Sequence, residues 1–227
     1  MAVVLSLETS TDVCSVALHD NKKLLAHAVV REAQVHASRL APMIDEVIHA
    51  AQRRRHDVEA IAVTSGPGSY TGLRIGVSTA KGLCFALGVP LVAVGTLDLL
   101  AFQASAHNER AALLCPMIDA RRMEVYSMVF SSHLSVVKPV EAKVIDSGSY
   151  SELLDQSPML FFGNGSAKCR SVITHPNALF LDDIYPVASA LGELAALKLE
   201  AGNTEDLVAF KPFYLKEFVA KTSQRSI

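Results

Sequence analysis

The sequence has no pair of cysteines placed to act together. Its four cysteines, Cys14, Cys84, Cys115 and Cys169, are scattered through apolar or mixed surroundings, and no C-x-x-C motif occurs. Cysteines of this kind are typical of reduced, structural residues, so we expect free thiols and a cytoplasmic protein.

Targeting and membrane signals are also absent. The first ten residues, MAVVLSLETS, have no basic region before the apolar run and no small-residue cleavage site, so we expect no signal peptide. No stretch reaches the roughly 18 uninterrupted apolar residues of a membrane helix. We therefore expect a protein without membrane contact.

Neither charge is in large excess. The formal net charge is −2 and the isoelectric point is about 6.4 over 227 residues. This balance gives no general attraction to nucleic acid, so any such contact would need a local patch or a partner protein. Half of the residues are hydrophobic, which allows a sizeable core in one large domain or two small ones.

Residues that could carry out a reaction are missing as well. The eight histidines include no pair three or four residues apart, so we expect no metal site of the usual kind. The motifs H-E-x-x-H, G-x-S-x-G, G-x-x-x-x-G-K-[ST] and G-x-G-x-x-G do not occur. We therefore expect no catalytic residue.

The pattern of apolar segments predicts an α/β protein. Ala2–Leu7, Val13–Leu18 and Leu24–Val30 are short apolar runs separated by polar turns, which predicts a three-strand meander. A helix around Leu40–Ala51 follows, and then a strand, a glycine turn and a helix over Ala60–Leu87. A further strand and helix to about residue 107 complete a βββαβαβα order.

The second half of the sequence again opens with a predicted hairpin. Ala112–Ile118 and Glu124–Phe130 flank a polar turn, which hints at an old duplication. A strand at Met159–Phe162 and a helix at Val187–Ala201 are predicted further on. We place the lobe boundary so that residues 1–107 form an N-terminal, partner-binding lobe and residues 108–227 form a C-terminal lobe.

The helix that follows the Gly66–Ser69 turn is apolar on several sides. Gly72, Gly76, Ala80 and Cys84 form a line of small residues along it, although each glycine inside a helix costs about 1 kcal/mol relative to alanine. One interpretation is tight packing on a sheet within one domain. The other is close contact with a second protein chain.

Four stretches of the sequence together resemble one family. They are LSLETSTDVCSVAL at 5–18, TSGPGSYTGLRIGVSTAKGL at 64–83, MIDARRMEVY at 117–126 and PFYLKEF at 212–218. The chain is similar to the bacterial TsaB family, also called YeaZ, within the TsaD-like superfamily. The resemblance implies a two-lobed α/β fold of the acetate kinase, sugar kinase and actin-like ATPase (ASKHA) type.

The resemblance also implies a function. It makes the chain a non-catalytic partner of TsaD, the paralogue that transfers a threonylcarbamoyl group to adenosine 37 of tRNAs reading ANN codons. The ATPase TsaE joins the two, and tRNA would be reached only indirectly, through the complex. The resemblance implies no tightly bound cofactor, a place for ATP or ADP at the interface of the complex, and a homodimer when TsaD is absent.

Two helices are the candidates for the partner surface. The predicted interface residues are His36, Arg39, Leu40 and Met43 from the first helix and Gly72, Arg74, Ile75, Gly76, Thr79 and Leu83 from the central helix. A Gly76→Arg variant is expected to lose TsaD and to stay folded. His36 lies where the metal motif of TsaD would fall, and because it stands alone we expect a surface or capping residue.

A remnant of a phosphate-binding loop is the second candidate site, formed by Glu8, Gly66, Gly68 and Ser69. Kinases of this fold usually place an aspartate at the position of Glu8, and the longer side chain would displace a bound Mg²⁺. Pro67 also removes one backbone N–H from the turn. We therefore interpret Glu8 as a residual feature of the fold.

Some alternatives stay open from the sequence. Asp119, Arg121, Arg122 and Glu124 form a charged turn that is either a solvated hairpin tip or a polar contact between lobes or with a partner. The rival functions are a small ATP-dependent kinase or ATPase of the same fold and a metallopeptidase.

Overall fold

The computed structural model describes residues 2–216, which form two five-stranded mixed sheets with helices packed on them. The first half contains β1 (Val3–Glu8), β2 (Val13–Asp20), β3 (Lys23–Arg31), α1 (His36–Ala50), β4 (Ala60–Gly66), α2 (Tyr70–Leu87), β5 (Leu91–Gly95) and α3 (Thr96–Ser105). The second half contains β6 (Leu113–Asp119), β7 (Glu124–Phe130), β8 (Val136–Val144), α4 (Ser151–Leu154), β9 (Met159–Phe162), β10 (Ala178–Phe180) and α5 (Ala188–Glu200). The predicted βββαβαβα order is confirmed. No helix within these residues combines the length and the apolar character needed to cross a bilayer.

The two sheets share one topology. The first has the strand order β3-β2-β1-β4-β5 and the second has the order β8-β7-β6-β9-β10. In each sheet the first three strands of that half pair antiparallel, and the fourth and fifth strands extend the sheet in parallel. The hairpin that opens each half is therefore part of a repeated five-stranded unit, as a duplication would produce.

Both faces of the first sheet are covered by helices. On one face, Leu7 and Ile61 belong to the core that α1 and α2 complete. On the other face, Val4 and Val92 pack with Leu191 of α5 and with α3. Because side chains alternate between the faces of a strand, these strands are nearly continuous apolar runs, as expected of a sheet buried on both sides.

Helices α3 and α5 tie the two halves together. Leu100 of α3 packs against Phe162 of the second sheet. Helix α5 packs on the first sheet, and the segment after it pairs with β5, where the Glu205 N–H donates to the Leu91 carbonyl at 2.9 Å. The predicted boundary assigns α5 and this segment to the C-terminal lobe, but their buried contacts are with the first sheet. A single cut in the sequence therefore does not separate the lobes.

Three elements differ from the predictions. Strand β8 was not predicted because Pro139 interrupts its pattern, yet β8 is an edge strand, and edge strands tolerate proline. Strand β10 is only three residues long, which is too short to carry a recognisable alternation. Helix α1 begins at His36, before the predicted span, so Pro42 lies in the second turn and the helix continues past it to Ala50.

A histidine and a glycine lock β2 against α5. His19 is fully buried, and neither ring nitrogen has a hydrogen-bond partner of good geometry within residues 2–216. A Cβ atom on Gly192 would overlap the His19 ring, so a glycine is needed for this contact. Burial lowers the pKa of His19 from its ordinary value of 6.5, because the imidazolium form is poorly solvated there.

We expect the stability of the protein to fall as the pH drops below 6.5, since the unfolded chain then binds a proton that the folded chain resists. A His19→Leu variant should show a flatter pH dependence in that range. Urea unfolding above and below this pH measures the effect, with the exposed His133→Gln as the control. An unchanged slope in His19→Leu would contradict the assignment.

Candidate functional site

The start of α2 is fixed on the turn between β1 and β2. The Ser69 hydroxyl accepts the Gly72 N–H at 3.2 Å, which satisfies one of the unpaired donors at the helix start. The Ser69 N–H donates to the Ser10 carbonyl at 2.7 Å, and the Thr9 hydroxyl donates to the Gly72 carbonyl at 2.8 Å. Ser69 is therefore the N-cap of α2, and these bonds set the direction in which α2 leaves the sheet.

The small residues of α2 allow this close approach. A Cβ atom on Gly72 would overlap the Thr9 carbonyl, and one on Gly76 would overlap the Thr9 hydroxyl. Gly68 meets the Ser10 carbonyl in the same way. The prediction that Gly72 and Gly76 lie at a partner interface is therefore wrong, because the chain's own β1–β2 turn occupies that side of the helix.

Three of the four candidates on α1 are also buried in their own lobe. Leu40 and Met43 lie in the core between α1 and the first sheet. The His36 Nε2 lies 3.3 Å from the Val13 carbonyl, in a side chain that is 6% exposed. The prediction that these three face a partner is wrong, since the apolar face of α1 covers the sheet and His36 holds the helix start on β2. Arg39 is exposed.

The side of α2 that points away from the sheet carries a solvent-exposed row, which we call the outer ridge. Its residues are Thr71, Arg74, Ser78, Gly82 and Phe85. A Cβ atom on Gly82 would have no neighbour within 4 Å, and Phe85 is 85% exposed. Gly82 and Phe85 were not among the residues singled out from the sequence. Both could have been noted, because Gly82 lies outside the line of small residues that begins at Gly72 and Phe85 is a large apolar residue in the same helix.

The remaining interface candidates border the outer ridge. Ile75, Thr79 and Leu83 are half-buried. Ile75 and Leu83 pack partly on the core that α1 shares with the sheet. The structure thus leaves Arg39, Arg74 and these three half-buried residues accessible among the ten predicted positions.

The Glu8 carboxyl is sealed beneath the β1–β2 turn. Its Oε1 accepts the Ser10 N–H at 2.6 Å and the Ser10 hydroxyl at 2.5 Å. Its Oε2 and the Thr64 hydroxyl on the neighbouring strand are both buried without a partner of good geometry in residues 2–216. Burial raises the pKa of Glu8 from its ordinary value of 4.5, and the bonds from Ser10 offset this only in part.

An open cleft of about 560 Å³ separates the two lobes. The β1–β2 turn and the start of α2 line one side, and the β6–β7 turn lines the other. Of the predicted phosphate-loop residues, Gly68 and Ser69 line this cleft. Gly66 is buried against the Phe213 carbonyl instead, and Glu8 is not part of the lining.

Residues 205–216, which we call the C-terminal strap, connect α2 with this cleft. Lys81 of α2 donates to two strap carbonyls at 3.2 and 3.0 Å. The Phe213 N–H bonds a β4 carbonyl at 2.7 Å, and Lys216 forms an ion pair with Glu124 at 2.5 Å. The strap therefore runs along the first lobe and ends on the second.

The charged turn between β6 and β7 is bonded within its own lobe and to the C-terminal strap. Lys168 donates to the Asp119 carboxylate at 2.6 Å and to the Glu124 carbonyl at 2.7 Å. Glu124 also receives Lys216 from the strap. Arg121 and Arg122 remain exposed at the tip. The tip of the turn is thus solvated, as one interpretation has it, and Lys216 links Glu124 to the strap.

The cleft does not fit the Mg²⁺–nucleotide that kinases of this fold hold. The acidic residue at the expected position, Glu8, is sealed from the cleft. In the glycine turn, Pro67 has no N–H and the Ser69 N–H is used by Ser10. Within residues 2–216 no three His, Cys, Asp or Glu side chains come together to hold a metal ion.

Comparisons of the sequence with known proteins identify one family. The sequence model of the family described as TsaD, tRNA N6-adenosine threonylcarbamoyltransferase, matches residues 29–223. The tRNA threonylcarbamoyladenosine biosynthesis protein TsaB of Haemophilus influenzae is 30% identical over 95% of this chain and 94% of its own length. The chain belongs to the TsaB (YeaZ) family.

Solved structures agree on the fold of this TsaB-family chain. YeaZ from Pseudomonas aeruginosa is 29% identical, covers 95% of this chain and 100% of its own, and superposes with a TM-score of 0.82. The activator of the 2-hydroxyisocaproyl-CoA dehydratase from Clostridium difficile has a TM-score of 0.51 at 8% identity, over 88% and 96% of the two chains. The predicted two-lobed ASKHA fold is confirmed.

The buried carboxyl makes a prediction about pH. As the pH rises above 4.5, the unfolded chain loses the Glu8 proton before the folded chain does, so the free energy of unfolding falls. Glu8→Gln keeps an acceptor for Ser10 and turns an amide N–H towards Thr64, so it should remove this loss and raise stability at neutral pH. Urea unfolding across this range tests it, with the exposed Glu46→Gln as the control. A Glu8→Gln protein less stable than wild type at neutral pH would refute the explanation.

Substitution by alanine is expected to change the stability of the protein in opposite directions at Gly82 and at Gly76 of α2. Gly82→Ala should stabilise the protein by about 1 kcal/mol, because the new methyl group meets no atom of residues 2–216 within 4 Å and the helix gains propensity. Gly76→Ala should destabilise it by about 1–3 kcal/mol, because the methyl group overlaps Thr9. Thermal and urea unfolding of the matched pair measure both, and equal effects would contradict the placement of the helix. The same overlap removes the expectation that Gly76→Arg leaves the fold intact.

Proposed function

We propose that this TsaB-family chain is a non-catalytic subunit in tRNA threonylcarbamoyladenosine biosynthesis. It binds and activates the transferase TsaD, together with TsaE, for the modification of adenosine 37 in tRNAs that read ANN codons. The observation that carries this proposal is the outer ridge, where Gly82 and Phe85 lie exposed on a long helix. The sealed Glu8 adds support, since it leaves the cleft without the carboxylate that a nucleotide-hydrolysing relative would need.

The energetic case rests on residues that have no packing role among residues 2–216. An exposed glycine in the middle of a helix costs about 1 kcal/mol relative to alanine, and Gly82 has no neighbour that its small size accommodates. An exposed phenylalanine leaves apolar surface in water. Both features are explained if the backbone of another helix crosses α2 at Gly82 and covers Phe85.

The docking surface that we propose combines the outer ridge with the neighbouring exposed side of α1. Arg39 and Arg74 contribute charge at its edges, and Ile75, Thr79 and Leu83 contribute half-buried apolar area. TsaD is a paralogue of the same fold, so its matching helices would pack here as a small helix bundle. In the absence of TsaD the same surface would pair with a second copy in a two-fold homodimer.

We propose no tightly bound cofactor for the isolated chain and assign ATP or ADP to the interface of the complex. The rival activity, a kinase or ATPase, would require the cleft to hold a metal–nucleotide. The residues of the cleft do not favour this, because Glu8 is sealed and the Ser69 N–H is already bonded to Ser10. A metallopeptidase would require metal ligands, and the chain has no such histidine motif. The chemistry of transfer is therefore left to TsaD.

Variants of the outer ridge test the docking proposal. Gly82→Arg and Phe85→Ser should weaken the affinity for TsaD by roughly ten-fold or more, because each alters a contact expected at the centre of the interface. Both should stay folded, since neither side chain is packed inside the chain. Copurification and titration calorimetry measure the affinity. Val144→Ser, which changes an apolar residue 66% exposed on β8, is the control, and wild-type affinity in both ridge variants would exclude this surface.

A further inference from the structure

Aromatic and cationic side chains meet beside the interlobe cleft. The rings of Tyr70 and Tyr214 lie 4.9 Å apart, and the Arg74 guanidinium lies 5.4 Å from the Tyr70 ring. Tyr214 and the adjacent Phe213 are 38% and 43% exposed, and Tyr70 and Tyr214 line the cleft. Exposed aromatic faces next to a guanidinium form the kind of surface on which proteins stack unpaired nucleobases.

The β6–β7 turn presents two arginines to the same region at a conformational cost. Arg121 and Arg122 have φ angles of 71° and 49°, in the left-handed region that glycine and asparagine adopt far more easily. Arg121 also lines the cleft. These angles are those of a tight hairpin turn. Both side chains are exposed, so the two guanidinium groups are free to meet a ligand of negative charge.

The charge around the cleft differs from that of the whole chain. Among residues 2–216, two cations and two acids line the cleft, and three further cations and one further acid lie next to it. The chain as a whole carries a net charge of −2. Two of the acids, Asp119 and Glu124, are already paired with lysines. The cations are Arg74, Arg121, Arg122, Lys168 and Lys216, and the third acid is Asp12. The small positive excess therefore lies next to the cleft, with Arg74 and Arg122, rather than on its lining.

We propose that these residues form a binding surface for an unpaired segment of folded RNA. Bases would stack on the exposed faces of Tyr214 and its neighbours, and phosphates would lie against Arg121 and Arg122. The inference rests on the proposed function, in which the complex acts on an adenosine in a tRNA loop. It replaces the expectation of purely indirect tRNA contact. A free nucleotide fits less well, because the Ser69 N–H of the glycine turn is already used and Glu8 is sealed.

The test uses the isolated full-length chain and a fluorescent RNA hairpin whose loop contains unpaired adenosines. The hairpin should bind more tightly than a blunt RNA duplex of equal length. Arg121→Gly and Arg122→Gly should each weaken binding and reduce the slope of log affinity against log salt by about one. Because glycine relieves the left-handed backbone, both variants should melt at the wild-type temperature or above it. Arg110→Gly, at the other end of β6, is the charge-matched control and should bind as wild type.

Two further measurements separate stacking from charge and RNA from nucleotide. Tyr214→Ala should weaken hairpin binding by roughly five- to a hundred-fold, whereas Tyr214→Phe should retain it. Equal affinity for hairpin and duplex, or no loss in either arginine variant, would overturn the proposal. Full displacement of the hairpin by adenosine monophosphate, at a concentration comparable to that of the hairpin's own nucleotides, would also overturn it. Since TsaD is absent, failure here leaves the docking proposal standing, and failure of docking leaves this test intact.

Discussion

The contact between the glycine side of α2 and the Thr9–Ser10 turn determines how the rest of the molecule is arranged. The Thr9 hydroxyl and the Ser10 carbonyl bond directly to the first turn of α2. Gly72 and Gly76 allow the helix to lie close enough for this. The same contact forms one wall of the cleft and closes the turn over Glu8. It also decides which side of α2 faces outwards.

This arrangement is consistent with the docking role that we propose for a chain whose fold is shared with kinases. An acidic residue at the end of β1 keeps its position, but both donors of Ser10 hold it inward and its second oxygen faces a buried hydroxyl. A carboxyl placed in this way is costly to ionise and cannot reach a metal ion in the cleft. The helix that closes over it then exposes a glycine and a phenylalanine, which favour contact with another helix. The inward position of Glu8 and the outward side of α2, on which the proposed docking surface lies, thus both follow from this packing.

Much of the fold could be predicted from the sequence, because alternating and helical apolar patterns are strong in the first half and in β6, β7 and α5. What failed was the direction in which helix faces point. Helix α2 is apolar or small on nearly every side, so its pattern does not distinguish the side that meets Thr9 from the side that carries Phe85. Leu40 and Met43 have the spacing of a core face, and their burial follows from that spacing. Helix α5 packs on the first sheet although it follows the second sheet in sequence. This packing depends on contacts between residues far apart in sequence, so a local pattern does not predict it.

The candidate site was predictable in its chemistry but not in its geometry. The absence of a metal-binding histidine pair and the glutamate at position 8 are visible in the sequence, whereas the sealing of Glu8 depends on the Ser10 bonds. In the sequence, the stretch PFYLKEF at 212–218 stands out only through its resemblance to the TsaB family. Only the structure brings Tyr214 onto Tyr70 and Lys216 onto Glu124. The clustering of basic residues around the cleft likewise arises from four segments that are distant in the chain.

The central claim is that this chain supplies a surface and its partner supplies the reaction. Reconstitution of tRNA threonylcarbamoylation from purified TsaD, TsaE, the threonylcarbamoyl donor and tRNA, with and without this chain, tests it most directly. The account predicts modification only when the chain is present, and no transfer or ATP turnover by the chain alone. Efficient modification without it, or steady turnover of substrate by the chain alone, would contradict the account.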